Sequence, residues 1–292
     1  MAGGEAGEAG KVGGSAGAGG QESSHAGVGG RPDEPGGSAG NAGAAAESGG
    51  MPGTGGAAGA AGSLCVAAGG AGFGGSGMLV ERTEWVQVQD GCYGYIIENA
   101  AMYSSSQNVS YDGTSFGIAS ATEGERDPTG SVRSYAAFFI GRNSGRDSLA
   151  SGLPRIAGTV QSIAAEMATN AGTISGVHAA RFELDFRSPP GYVQVVFHPN
   201  AQWTPDGTLV EDITVASRTF HVWTAEGSYP MATYVIETPT SSLAIDLEPF
   251  LADAIARDVI DSTAELYFAG GFLDMWSDCV GLAVNHFALT VD

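Results

Sequence analysis

Near its C-terminus the chain reads GGFLDMWSDCVGLAVNHFALTV from Gly270 to Val291, with Asp274, Trp276, Asp278 and Cys279 set between paired glycines and a run that reads as a last buried strand. A carboxyl on such a turn can give or take a proton, and an indole offers a flat apolar face. A second pair of carboxyls lies in FELDF, where Glu183 and Asp185 are two residues apart. Alternate residues of a strand share a face, so these two acids point the same way. Paired carboxyls and exposed tryptophans are the groups in this chain most able to do chemistry.

Other signals are weaker. GFGGSG, from Gly72 to Gly77, has the letters of a dinucleotide-binding turn, but no strand precedes it and no helix follows. GTSFG, from Gly113 to Gly117, has the letters of a nucleophile elbow, yet YDG leads into what reads as a strand, so Ser115 reads as a turn residue. The five histidines show no metal-ligand spacing. Cys65, Cys92 and Cys279 are too few and too scattered for a zinc site. One disulfide with one thiol left over, or three unpaired small hydrophobes, are both open. No metal and no cofactor are expected.

The elements that must position the acids begin well inside the chain. Of 47 glycines, 29 lie in residues 1–80. Segments such as NAGAAAESGGMPGTGGAAGAAG hold almost no large apolar side chain and cannot offset the entropy of ordering themselves. Residues 1–78 therefore read as a disordered linker, with no order expected before about residue 63. Such a chain has a reach of about 5–6 Å times the square root of its length, roughly 45 Å here. The start shows neither the charged n-region nor the apolar h-region of a signal peptide, and no run approaches the roughly 18 apolar residues of a membrane span. The long tether nevertheless reads as that of an extracellular or surface-displayed protein whose start is truncated or misassigned.

From about Met78 the texture changes to short period-two stretches separated by Gly, Pro, Asn, Asp and Ser, which predicts an all-β antiparallel sandwich over residues 79–292. Expected strands include TEWVQVQ, YGYIIEN, SFGIASA, SYAAFFIG, ARFELDF, YVQVVFH, TFHVWTA, ATYVIET and VGLAVNHFALTV. DLEPFLADAIARDV differs: Leu247, Phe250, Leu251, Ala254, Ile255 and Val259 recur at three- and four-residue steps, Asp246 can cap the start and Pro249 sits in the tolerated first turn. One amphipathic helix near residues 246–260 is expected. TVQSIAAEMA fits neither period well. A net charge of −20 with only 12 Lys and Arg excludes nucleic acid and an anionic membrane surface as partners; neutral ligands, carbohydrate among them, remain, and the domain is expected to be a monomer.

The order YIIENAAM, SFGIASA, GSVRSYAAFFIG, LP, ARFELDF, YVQVVFHPN, TFHVWTA, the helix and then GGFLDMWSDCVGLAVNHFALTV resembles glycoside hydrolase family 12, the jelly-roll endoglucanases and xyloglucanases, over about residues 79–292. The closing segment carries most of it, since the family pattern Gly-Phe-Glu-x-Trp, a glycine turn and GLAVNSF is matched by GLAVNHF. The resemblance implies a two-sheet sandwich with a cleft for a β-1,4-linked glucan, and a retaining mechanism with two carboxyls about 5–5.5 Å apart.

The departures fall on those carboxyls. Against the family strand Glu-x-Met-x-Trp this chain sets Val193, Val195 and Phe197; shifting by one brings in Gln194, which is still no carboxylate. The acid/base position reads Leu273 counted from Phe272 and Asp274 counted back from Trp276. Of the family's Asn-Asn-x-Trp only Asn99 is kept, with Met102 in place of the indole. Glu183 stands where the family has a supporting aspartate, and Asp185 is added. RSPPG should join the two strands as a hairpin, leaving Glu183 or Asp185 available as a relocated nucleophile opposite Asp274. Asn99, Asp185, Phe197, Trp203, Trp223 and Trp276 are the expected polysaccharide contacts. Two readings stay open: a non-hydrolytic binding relative, and an active endo-β-1,4-glucanase using relocated carboxyls; an adhesion or scaffold domain is a third. In an exported chain Cys65 and Cys92 are the expected disulfide.

Overall fold

In a computed structural model, the structure describes residues 76–80, 84–90, 93–101, 106–112, 115–121, 132, 134–143, 146–148, 151–199, 203–277 and 279–292. Residues 1–75 of the expected linker, the Cys65–Cys92 pair and Met102 lie outside these residues; Gly77 and Met78, assigned to the linker, instead belong to a strand that pairs with Tyr111 and Ser110. The strands are β1 (Gly77–Leu79), β2 (Trp85–Asp90), β3 (Tyr93–Ala100), β4 (Gln107–Tyr111), β5 (Phe116–Ala121), β6 (Ser134–Asn143), β7 (Arg146–Asp147), β8 (Arg155–Ile156), β9 (Ile163–Thr169), β10 (His178–Arg187), β11 (Gly191–Pro199), β12 (Thr208–Val215), β13 (Arg218–Ala225), β14 (Met231–Ile236), β15 (Ser242–Asp246), β16 (Glu265–Met275) and β17 (Ala283–Val291). One helix, α1, runs from Glu248 to Ala256.

Two sheets face each other. The smaller has the order β1-β4-β5-β17-β9-β15, the larger β12-β13-β14-β11-β10-β16-β6-β3-β2. The pairings are antiparallel except for β11 beside β14. Period two explains the sandwich: on β10 the side chains of Ala180, Phe182, Leu184 and Phe186 enter the core between the sheets, because every second residue turns inward. Phe138 of β6 stacks on Phe287 of β17 at 3.8 Å between centroids, with Tyr95 and Phe116 edge-on. The Tyr95 hydroxyl also donates to the Leu289 carbonyl of the opposite sheet at 3.2 Å. A buried Phe of this kind contributes about 1.5–3 kcal/mol, so these rings are what clamp the layers.

Helix α1 lies against the large sheet. Phe250 packs edge-on to Phe220 and Tyr234 at 4.9 and 5.0 Å. Asp246 accepts from the Glu248 N–H at 3.0 Å and also from the Ile163 N–H at 2.8 Å, tying the helix start to β9. The helix stops earlier than its apolar pattern, because Asp258 adopts φ 59°. Asp258 N–H then donates to Ile255 and Val259 N–H to Ala254, a left-handed helix end that normally takes glycine. The undecided segment TVQSIAAEMA contains β9, whose residues alternate between buried and outward positions. Ser115 is a turn residue between β4 and β5, its N–H and hydroxyl both donating to Asp112.

Candidate active site

Strand β10 occupies the middle of the large sheet, between β11 and β16. Its inward residues leave Arg181, Glu183, Asp185 and Arg187 on the sheet's second face, away from the core. Register places Trp223, Thr233, Gln194, Glu183, Gly270, Phe139 and Ile96 in one row across that face. The next row runs through Val196, Arg181, Phe272, Ala137 and Glu98 to Trp85.

Arg181 stands at the centre. Its Nη1 donates to Glu183 Oε2, its Nε to Asp274 Oδ2 and its Nη2 to Asp274 Oδ1, the last at 3.2 Å. The guanidinium lies 4.4 Å from the centroid of Phe272, its directly opposed residue on β16. Such a stack is a cation on an aromatic face. Glu183 accepts a further bond from Gln194 Nε2 at 2.9 Å, and the Thr233 hydroxyl reaches Gln194 Oε1 at 3.4 Å. Asp185 pairs with Arg187 at 3.1 Å.

These charges are almost sealed: Arg181 is 7% exposed, Glu183 7%, Asp185 3% and Asp274 5%. Burial opposes the Arg181 charge, but Asp274 and Glu183 outweigh it and hold the guanidinium above its ordinary pKa. Burial likewise drives the Glu183 carboxyl upward against the pull of Arg181. Asp185 is pushed to about 7, by burial first and by Glu183 as well, with Arg187 opposing.

The structure joins Asp274 and Glu183 through Arg181, with Asp185 two residues further along the same face of β10. It corrects three expectations. Val193, Val195 and Phe197 face the inter-sheet core and are wholly buried; the residue of β11 that faces the carboxyls is Gln194. Phe197 packs on Phe182 at 5.4 Å, so it is core and not a ligand contact. Asn99 also faces inward: its amide donates to the Gln107 carbonyl at 2.7 Å and its oxygen accepts from Gln107 Nε2 at 2.9 Å, which binds β3 to the other sheet. Trp203, Trp223 and Trp276 do converge on the second face with Val196 and Val235. Trp276 is 4% exposed and forms the floor of that cluster, tilted against Trp203 at 6.3 Å, while Trp203 and Trp223 are half-buried and offer ring surface.

Sequence reasoning missed Arg181 and chose the wrong register on β11. The alternation Arg181, Glu183, Asp185, Arg187 carries the first signal, since a strand with four charges at period two must turn them all to one face. For β11 a local signal was present, since Val193, Val195 and Phe197 are all apolar while the alternate residues include Gln194 and His198.

The fold is a glycoside hydrolase family 12-like sandwich. No family model matches the sequence, and no curated protein matches it. In three dimensions the chain is similar to an endoglucanase from Rhodothermus marinus, at 24% identity and TM-score 0.67 over 74% of this chain and 99% of that one. A metagenome-derived family 12 endoglucanase superposes with TM-score 0.69 at 22% identity, covering 74% of this chain and 98% of its own. A family 12 xyloglucanase from Bacillus licheniformis does so with TM-score 0.62 at 14% identity, over 74% and 100%. No helix among the described residues is long and apolar enough to cross a membrane.

Proposed function

We propose that this domain is a non-hydrolytic, carbohydrate-binding relative of the family 12 glycoside hydrolases, tethered by its glycine-rich N-terminal segment and displayed outside the cell as a monomer. The observation that carries this reading is Arg181, bonded at once to Glu183 and Asp274. A retaining glycosidase needs one free carboxylate to attack and one protonated carboxyl to give up a proton, with the sugar's reacting carbon between them. Here a guanidinium fills the place between the two acids. Asp274 is bridged through both oxygens and Glu183 accepts from two donors, so neither is poised for its step. Breaking a buried pair of this kind costs about 3–5 kcal/mol, and each 1.36 kcal/mol is about tenfold in rate. Gln194, the residue of β11 that faces the carboxyls, carries an amide and no acid.

What is left for a ligand is the half-buried ring surface of Trp203 and Trp223 with the amide of Gln194 beside it. A β-linked glucan, with apolar pyranose faces and hydroxyl edges, suits that combination. The test is to incubate the full chain with β-glucan, xyloglucan and carboxymethyl cellulose, measuring co-sedimentation and reducing ends together. Binding without new reducing ends is expected, with Trp223→Ala weakening co-sedimentation about tenfold, in line with about 1–2 kcal/mol for one lost aromatic contact. Cleavage abolished by Glu183→Gln or Asp274→Asn would replace this reading with that of an active enzyme using relocated carboxyls.

A further inference from the structure

At one end of β10, away from the charged row, two imidazoles lie parallel. His178 opens β10 and His198 is near the end of β11; their rings are 5.7 Å apart between centroids and inclined by 4°. The His178 Nδ1 lies 2.6 Å from the Gly176 carbonyl and the His198 Nδ1 3.2 Å from the Thr240 carbonyl. His178 is 1% exposed, and its Nε2 is buried with no hydrogen-bond partner among the described residues. Two stacked neutral rings can share that space; two imidazolium ions cannot without a counter-charge.

Among the described residues, the elements around them provide no counter-charge. The short 3₁₀ turn Ala171–Thr173 has no ionisable side chain. Thr240 contributes a carbonyl. Among the described residues of the turn before β17 the ionisable neighbour is the Cys279 thiol, held against the Val177 and Ser277 carbonyls. Along β10 the nearest charge is Arg181, committed to Glu183 and Asp274. By contrast His221 and His286 each face a carboxylate, Asp212 and Glu166.

The pair also sits at a joint. Val177, next to His178, accepts from the Trp276 N–H at 2.9 Å, and its own N–H donates to the Ser277 hydroxyl at 2.6 Å. These bonds hold the segment that follows Asp274 against the start of β10. We infer that the stacked His178–His198 pair is an acid-sensitive lock: protonation of a buried ring drives the two apart and loosens the joint between Val177 and Trp276–Ser277. Burial first, and the neighbouring ring after it, hold His178 below the ordinary imidazole range against the opposing pull of the Gly176 and Ala171 carbonyls, and burial lowers His198 against that of the Thr240 carbonyl. The folded chain therefore binds fewer protons than the unfolded one below about pH 6.5, and stability at this joint is lost as pH falls. The inference is independent of whether the second face binds a glycan.

Hydrogen exchange of the full chain at pH 7 and pH 5, corrected for intrinsic rates, tests it. Protection at the Trp276 and Ser277 amides is expected to fall at least tenfold, while the Phe182 and Phe272 amides in the middle of the sheet hold theirs. His178→Phe, which keeps a flat ring without a proton site, is expected to remove the pH dependence; His221→Gln is expected to keep it. Imidazole proton NMR of the unmutated chain gives a second reading should His178→Phe fail to fold: His178 is expected to titrate below 6.5. Titration of His178 at or above that value, or unchanged exchange at Trp276 and Ser277, overturns the lock.

Discussion

The two faces of β10 are made by the same ten residues and held by opposite means. Toward the core, Phe182, Leu184 and Phe186 are fixed by apolar contact from both sheets. Toward the second face, Arg181, Glu183, Asp185 and Arg187 are fixed by each other and by Asp274. Apolar packing tolerates the loss of a partner in proportion to the cavity left. A buried ion network does not, because removing one member strands the rest. The difference teaches why a charged row this well buried is a poor catalytic dyad: what keeps it in place is what a reaction would have to break.

The sharpest way to break the comparison is at Arg181. Arg181→Ala leaves Glu183 and Asp274 buried without their cation and is expected to cost about 3–5 kcal/mol in urea unfolding, as much as Phe182→Ala costs through its cavity, about 3–5 kcal/mol. The two losses part company on compensation. The triple change Arg181→Met, Glu183→Leu, Asp274→Leu is expected to recover most of the stability, since buried ion groups replaced by apolar ones are often neutral or better. If the triple variant is as unstable as Arg181→Ala, the row is held by shape and not by charge.

Asp185 gives the next largest effect. Its folded pKa is about 7 against about 3.9 in an unfolded chain. The folded chain thus keeps a proton that the unfolded chain releases, and this contribution is complete below about pH 4 and gone above about pH 7. Asp185→Asn is expected to gain on the unmutated chain steadily as pH rises through that window, read as the difference between their unfolding midpoints. A difference that does not vary with pH would mean that Arg187 holds Asp185 ionised throughout.

The smallest expected effect lies outside both faces and serves as a control on backbone strain alone. Asp258 closes α1 at φ 59°, a conformation glycine adopts without cost. Asp258→Gly is expected to stabilise by up to about 1 kcal/mol and to leave the behaviour of Arg181→Ala and Asp185→Asn unchanged, since Asp258 bonds to its own helix end and to no member of the charged row.

Much of the architecture was legible. Alternation in SYAAFFIG, ARFELDF and VGLAVNHFALTV specifies strands with one apolar face, and steps of three and four in PFLADAIA specify the helix. TVQSIAAEMA was not legible, because short side chains such as Ala164, Ala165 and Ala168 give a weak signal at either period; pairing with β15 and β17 decides it. Asp274 and Glu183 were legible as acids near one another. Their capture by Arg181 was not, since it joins β10 to β16 across 93 residues of sequence.

The amino-acid order by itself determined which residues could be strand, helix or glycine-rich tether, because those properties depend on side chains within a few positions of each other. It also determined that the middle strands carry acids and that β11 has no carboxylate, whichever register it takes. Only the tertiary structure set the Gln194 face of β11 against those acids. A slip of one residue reverses every side chain, and the choice between Val193 and Gln194 was made by the core: Val193, Val195 and Phe197 fill it beside Phe182 and Phe220, and Gln194 is left to face Glu183.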